Sequence, residues 1–259
     1  ARWLLEMSSA VSPPHNRHTE RLVVAGSAVL LASIFGNGLN YLLGVFMARS
    51  LGAMQFGLYA LGLTFFSTLT LIVPLGMDAG AIKFISEYRV RQDQPAILRT
   101  IVYASGITLL TSLLSALCLV GFAATISESL YRKPELTILL IYFAAGIPLY
   151  AVTGIFLSCL QAHQTVRPLI MVRYLWEPVS KFAFAGLAIW AGWGLTGVLW
   201  GILITLLTSL VVTIRLVSAL PSTGAQDVDL WRGTDVRKLL SYCLPLGTAT
   251  LVGVITPRA

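Results

Sequence analysis

Three charged residues with a regular spacing lie inside an otherwise apolar segment, from Pro168 to Trp190. They are Arg173, Glu177 and Lys181, and on a helix of about 3.6 residues per turn their spacing places them in one stripe. Glu177 lies one turn from each cation, so it can pair with both, and the stripe keeps a net charge of +1. An unpaired charge at the centre of a bilayer costs at least about 2.5 kcal/mol, so charges in a span usually mark a functional cavity. We call these three residues the charge stripe.

Chain length decides whether the charge stripe enters a membrane or lies on a short helix flat at its surface. Phe182–Ile214 is a charge-free run that would form one helix about 50 Å long, far more than a bilayer needs. Trp190–Gly194, with two glycines and two tryptophans, predicts a turn at the headgroup boundary. The helix before this turn can span only if it includes Leu169–Lys181, and we expect Pro178 to bend it.

The composition predicts an all-α, polytopic transmembrane bundle, since 56% of residues are hydrophobic, 11% are charged and the mean hydropathy is +0.81. Polar residues after 83 predict a loop that ends at a helix start marked by Asp93 and Pro95. We expect a cytoplasmic tail (1–20), a six-helix N-terminal lobe (21–217), a cytoplasmic linker (218–238) and the first helix of a truncated C-terminal lobe (239–259). The expected spans are 22–48, 56–76, 97–125, 136–160, 168–190, 196–214 and 239–255.

Basic residues orient this layout, because cytoplasmic loops are enriched in Lys and Arg. With the N-terminus inside, the outer loops hold only Arg49, Arg132 and Lys133. The inner segments hold Arg2, Arg17, Arg21, Lys83, Arg89, Arg91, Arg99, Arg167, Arg173, Arg215, Arg232, Arg237 and Lys238. We therefore expect a multi-pass protein of the cell membrane (inner or plasma membrane) with a cytoplasmic N-terminus.

Asn37 and Asn40 are polar residues of the first span that share a helix face. They are consistent equally with hydrogen bonding between helices and with lining of a cavity. Gly36, Gly38 and Gly44 nearby would allow a neighbouring helix to approach closely.

Other chemistries have little support in the sequence. The basic residues are scattered between apolar runs, which argues against nucleic-acid binding. The three cysteines and three histidines have neither a disulfide nor a zinc-ligand pattern. We find no phosphate-binding Gly-rich loop, nucleophile elbow or His-Glu-x-x-His motif, so we expect neither an enzyme nor a cofactor or metal.

Three stretches resemble one family of membrane proteins. Ala48–Tyr59 is similar to the loop between the first two helices of polysaccharide-biosynthesis flippases in the multidrug/oligosaccharidyl-lipid/polysaccharide exporter superfamily. Gly76–Tyr88 resembles the end of their second helix and the loop after it, and Lys238–Leu246 the start of their seventh helix, after a long cytoplasmic linker. The resemblance covers about residues 20 to 255. It implies two six-helix lobes around a central cavity that opens alternately to either side.

The cargo that the resemblance implies is an oligosaccharide on a polyprenyl diphosphate, moved to the outer leaflet. Arg173 would then offer a planar fork of donors to the diphosphate and Lys181 a point charge, while Glu177 would hold both cations in the empty site. Asn37 and Asn40 would line the wet cavity for the sugars. Asp78 is either a helix cap that pairs with Lys83 or part of an ion-coupling site.

The resemblance also implies partners and leaves two alternative functions. The partners would be the lipid-linked oligosaccharide, membrane lipids and the missing C-terminal lobe of the same protein, since we expect the chain to be a fragment. A polysaccharide polymerase or glycosyltransferases are further candidate partners. The alternatives are a drug or small-cation exporter of the same superfamily, and a non-transporting scaffold of a polysaccharide-synthesis complex.

Overall fold

The computed structural model describes residues 15–163, 166–219 and 238–248, with side chains from residue 26 onward. All regular elements in these ranges are helical, which confirms the predicted all-α fold. Two π-helical segments, Ile126–Leu130 and Ile170–Trp176, lie between α-helices. Residues 238–248 are also helical. The α-helices are α1 (His15–Ile72), α2 (Met77–Val90), α3 (Gln94–Thr125), α4 (Glu135–Ala162), α5 (Arg167–Leu169), α6 (Glu177–Trp190) and α7 (Gly194–Ser218).

Helix α1 consists of two arms that meet at Gly52. This residue has φ 81° and ψ 166°, a conformation that glycine adopts without steric cost. The arms fold back on each other, because Asn40 of the first arm and Leu63 of the second line the same cavity. The two predicted spans are therefore separate, as expected. The first arm is already helical at His15, seven positions before Leu22, because no glycine or proline interrupts this part of the sequence.

Four helical stretches are long and apolar enough to cross a membrane: Gly26–Val90, Gln94–Leu130, Glu135–Ala162 and Gly194–Ser218. The first has 65 residues and contains the break at Gly52, so its length suffices for two spans. The charged stretch Arg167–Trp190 is not among the four. Its length of about 36 Å is nevertheless close to the thickness of a bilayer. The protein is a multi-pass membrane protein. The number of its long helices agrees roughly with the six predicted spans.

Helix α2 replaces most of the loop that the sequence predicted after residue 83. Met77, Ala81 and Ile85 are spaced four residues apart, and all three are fully buried. This periodicity gives an amphipathic helix whose other face carries the charges that suggested a loop. The prediction of a loop from residue 83 was therefore wrong for residues 83–90, and the irregular connection before the next helix contains only residues 91–93.

Two predicted helix boundaries are confirmed. The side chain of Asp93 accepts a hydrogen bond from the backbone N–H of Ala96 at 3.1 Å, with Pro95 in the first turn of α3. Between α6 and α7, Gly192 and Gly194 have φ of 74° and 58° and form the expected turn.

Residues 238–248 pack against the start of α2 through close backbone contacts. A Cβ atom on Gly76 would lie 2.8 Å from the carbonyl oxygen of Cys243, and one on Gly247 would lie 2.9 Å from the carbonyl oxygen of Leu75. Cys243 is fully buried in this contact. Glycine therefore allows this segment and α2 to approach more closely than larger residues would.

Candidate functional site

The charge stripe is an inward-facing ion-pair network. Glu177 accepts hydrogen bonds from Arg173 Nη1 at 3.1 Å and from Lys181 Nζ at 3.4 Å, so the pairing expected from the spacing is confirmed. The Glu177 side chain is only 4% exposed, and those of the two cations are each 21% exposed. A helix lying flat at the membrane surface would turn these charges to water, so their burial disfavours that alternative.

A π-helical segment, Ile170–Trp176, carries Arg173 and immediately precedes Glu177. The sequence predicted a bend at Pro178, and the irregular backbone lies just before this proline. Pro178 has no N–H group to donate to the carbonyl of Tyr174, four residues earlier, so regular α-helical bonding cannot continue there. π-helical turns of this kind occur frequently at functional sites.

The first arm of α1 approaches the charged helix at Gly36. A Cβ atom on this residue would lie 2.8 Å from the carbonyl oxygen of Tyr174 and 3.4 Å from Cγ of Pro178. Gly36 therefore has the close-packing role predicted for it. Among the residues that the structure describes, none has a heavy atom within 4 Å of a Cβ atom on Gly38 or Gly44, so neither glycine shows this role there.

Arg173 lines a cavity of about 350 Å³, which we call the arginine cavity. Its guanidinium lies over the ring of Tyr150, with Cζ 3.7 Å from the ring centroid. One turn later on α4, a Cβ atom on Gly154 would lie 3.9 Å from Arg173 Nη2. The guanidinium thus has an aromatic face below it, a carboxylate at Nη1 and a residue without a side chain near Nη2. Ser158 and Gln161 add polar groups to the wall.

Lys181 lines a second cavity, of about 330 Å³, which we call the lysine cavity. Asn40 also lines it, so the structure brings these two predicted site residues together. Ser67, Thr70 and Tyr150 line both cavities, which are therefore neighbours. The charge stripe runs along the two cavities, with Arg173 at the arginine cavity and Lys181 at the lysine cavity.

Of the other two predicted site residues, Asp78 shares a cavity with the charge stripe and Asn37 does not. Asn37 is exposed and does not line either cavity. Asp78 is exposed in the first turn of α2 and lines the arginine cavity. It is not the cap of α2, because Gly76 holds that position. A spacing of five residues does not place Lys83 beside Asp78 on the helix. Lys83 instead lies over the ring of Tyr242, with Nζ 3.7 Å from the ring centroid. The predicted cap and pair were therefore wrong.

Sequence reasoning missed Tyr150, which contacts Arg173 and lines both cavities. It belongs to an apolar span, and the only available signal was a polar aromatic residue four positions before a glycine, Gly154.

For metals, the described residues contain no cluster of three or more His, Cys, Asp or Glu side chains.

Comparison with known proteins gives one match. No curated protein and no solved structure matches the chain significantly. A protein-family model described as "Polysaccharide biosynthesis protein" matches residues 23–257. This match includes both arms of α1, the charge stripe and the segment 238–248. Members of the family are transporters rather than enzymes, and the match supports a general role in polysaccharide export. The chain belongs to the polysaccharide biosynthesis protein family.

Proposed function

We propose that the protein is a flippase that moves a polyprenyl-diphosphate-linked oligosaccharide from the cytoplasmic to the outer leaflet by alternating access. The observation that carries the proposal is the inward-facing charge stripe, which has a net charge of +1 and presents Arg173 and Lys181 to two neighbouring cavities. Membership of the polysaccharide biosynthesis protein family supports the same function. No catalytic step is part of this function.

The chemistry of the cargo fits the two cations. A diphosphate must lose most of its water to cross a bilayer, and a guanidinium can replace that water with paired hydrogen bonds. Glu177 already accepts from Arg173 through Nη1, so the remaining N–H groups of the guanidinium are available for an anion. Asn40 would hydrogen-bond sugar hydroxyls, and the hydroxyl oxygens of Ser67 and Thr70, which donate to backbone carbonyls of their own helix, would accept from them.

The proposal extends to topology, coupling and partners. The N-terminus would face the cytoplasm, and a C-terminal lobe beginning with residues 239–259 would complete the central cavity. Asp78 would contribute to an ion-coupling site at the mouth of the arginine cavity. The prenyl chain would remain in membrane lipid, where it is already soluble. A polymerase or glycosyltransferases would act on the same lipid-linked substrate.

The net positive charge stripe argues against the two alternatives. An exporter of cationic drugs would need acidic groups free to bind a cation, whereas Glu177 is neutralised by two cations and Asp78 shares the arginine cavity with Arg173. A scaffold would not need charges inside the membrane, where they are costly.

Arg173→Lys tests the proposal, because it keeps the charge but removes the planar fork. We expect transport of labelled lipid-linked oligosaccharide into vesicles to fall about tenfold or more, at an unchanged amount of the complete protein in the membrane. Arg91→Lys is the matched control, since Arg91 also pairs with a glutamate four residues away, Glu87, but on the surface. Wild-type transport by both variants would refute the role of Arg173.

A further inference from the structure

Tyr150 has no charge, but it is placed to control how Arg173 meets a ligand. Its ring lies 3.7 Å from Arg173 Cζ, well inside the distance of about 6 Å at which a cation and an aromatic face attract. The ring also lines both cavities. It is thus the one aromatic residue, in the part of the chain described, that contacts the charge stripe's guanidinium and lines both cavities.

The Tyr150 ring is itself held in place. Phe66, on the second arm of α1, meets it edge to face, with ring centroids 5.5 Å apart and planes at 74°. Phe66 also contacts Phe143, which lies about two turns before Tyr150 on α4, at 5.6 Å between centroids. The packing of Phe66 therefore restricts the rotation of the Tyr150 ring on which the guanidinium of Arg173 stacks.

This support determines the direction of the guanidinium. Two parallel hydrogen bonds to an anion require the plane of the guanidinium to have a fixed orientation. A guanidinium that rotates freely does not hold its two N–H donors towards one anion. The Tyr150 face fixes that plane, and Glu177 fixes the rotation within the plane by holding Nη1 at 3.1 Å. Nη2 is left beside Gly154, where no side chain covers it.

We infer that Tyr150 is a positioning residue for anion recognition, which holds the guanidinium of Arg173 so that its free N–H groups face the arginine cavity. Preorganisation of this kind strengthens binding by removing the need to order the long arginine side chain when the ligand arrives. The inference rests on the proposed function, because it assumes that Arg173 binds the diphosphate of the cargo.

Substitutions at Tyr150 separate positioning from simple packing. We expect Tyr150→Leu to raise KM for lipid-linked oligosaccharide about five- to thirtyfold with a much smaller change in kcat, and Tyr150→Phe, which keeps the aromatic face, to raise KM far less. Tyr142→Leu is the matched control. Tyr142 lies about two turns earlier on α4 and meets Trp200 edge to face at 5.6 Å, but it is not among the residues that line the two cavities.

Fluorinated phenylalanines at position 150 keep the test decisive if Tyr150→Leu fails to fold. Successive fluorines withdraw electron density from the ring face while nearly preserving its shape, so KM should rise with each fluorine. A purely structural role for the ring predicts no such trend, and a flat series would overturn the inference.

A double-mutant comparison distinguishes failure of the inference from failure of the proposed function. If Tyr150 acts through Arg173, then Tyr150→Leu should add little to the KM of an Arg173→Gln variant. Additive effects would overturn the positioning role while leaving Arg173 in place as a binding residue. An unchanged KM in Arg173→Gln alone would overturn the proposed function and the inference with it.

Discussion

Removing the carboxylate of Glu177 should destabilise the protein. The substitution Glu177→Gln keeps the shape of the side chain but leaves Arg173 and Lys181 without a counter-charge in a largely buried site. The oxygen–nitrogen distances of 3.1 and 3.4 Å correspond to a gross attraction of about 5 kcal/mol per pair at an effective dielectric constant of about 20. The cost of desolvating the charges offsets much of this attraction in the native protein.

The net loss can be bounded from measured behaviour of buried pairs. Removing one partner of a fully buried pair costs about 3 to 5 kcal/mol. The two cations are each 21% exposed, and an amide oxygen can still accept one hydrogen bond, so we expect a loss of about 2 to 3 kcal/mol. For a domain of this size, each kcal/mol lowers Tm by about 2 to 4 °C, so Tm should fall by roughly 4 to 12 °C.

The assay is thermal unfolding of the detergent-purified protein, followed by the amount that remains monodisperse after heating. Glu87→Gln is the matched control, because Glu87 pairs with Arg91 at 2.7 Å with the same four-residue spacing on an exposed surface. Exposed pairs of this kind contribute about 0.3 to 0.5 kcal/mol, so the control should shift Tm by no more than about 2 °C. Equal shifts in the two variants would refute the reasoning that burial gives Glu177 its importance.

Three further predictions concern packing and topology. Gly80→Cys should form a disulfide with the native Cys243 on oxidation, because a Cβ atom on residue 80 would lie 3.9 Å from that of Cys243, within the range of disulfides. A thiol-blocking reagent added to the denatured protein should then label Cys118 and Cys159 but not positions 80 and 243, and labelling of all four positions would contradict the contact. Gly36→Val should lower Tm, since its side chain would collide with the backbone of the charged helix, and an unchanged Tm would contradict that contact. Single cysteines at Arg89 and Trp231 should be labelled only from the cytoplasmic side, and labelling of either from outside intact cells would contradict the topology.

Helix boundaries were predictable where local chemistry sets them. Asp93 followed by Pro95 marks the start of α3, and the glycines of 190–194 mark the turn before α7, because both signals act through the backbone of a few adjacent residues. The amphipathic helix α2 was missed because the charges on its exposed face suggested a loop. Its buried face, Met77, Ala81 and Ile85, has the four-residue spacing that should have identified it.

The candidate site was only partly predictable. The four-residue spacing of the charge stripe is a property of one helix, so the pairing of Glu177 with both cations followed from the sequence. The stacking of Arg173 on Tyr150 depends on how two distant helices pack, and neither residue carries a signal for the other. The different environments of Asn37 and Asn40 likewise depend on the rotation of α1 against its neighbours, which the sequence of one helix does not specify.

The break at Gly52 bears on how the nascent chain enters the membrane. As an unbroken helix, the 58 residues of α1 would extend about 87 Å, almost three times the hydrocarbon thickness of about 30 Å. With the break, the two arms can insert together as a helical hairpin. In the proposed orientation, with a cytoplasmic N-terminus, the apolar surface of both arms would offset the cost of carrying Arg49, three residues before the turn, through the lipid. Translocation of this basic residue would then depend on synthesis of the second arm, which needs about 20 residues beyond the turn to span the membrane.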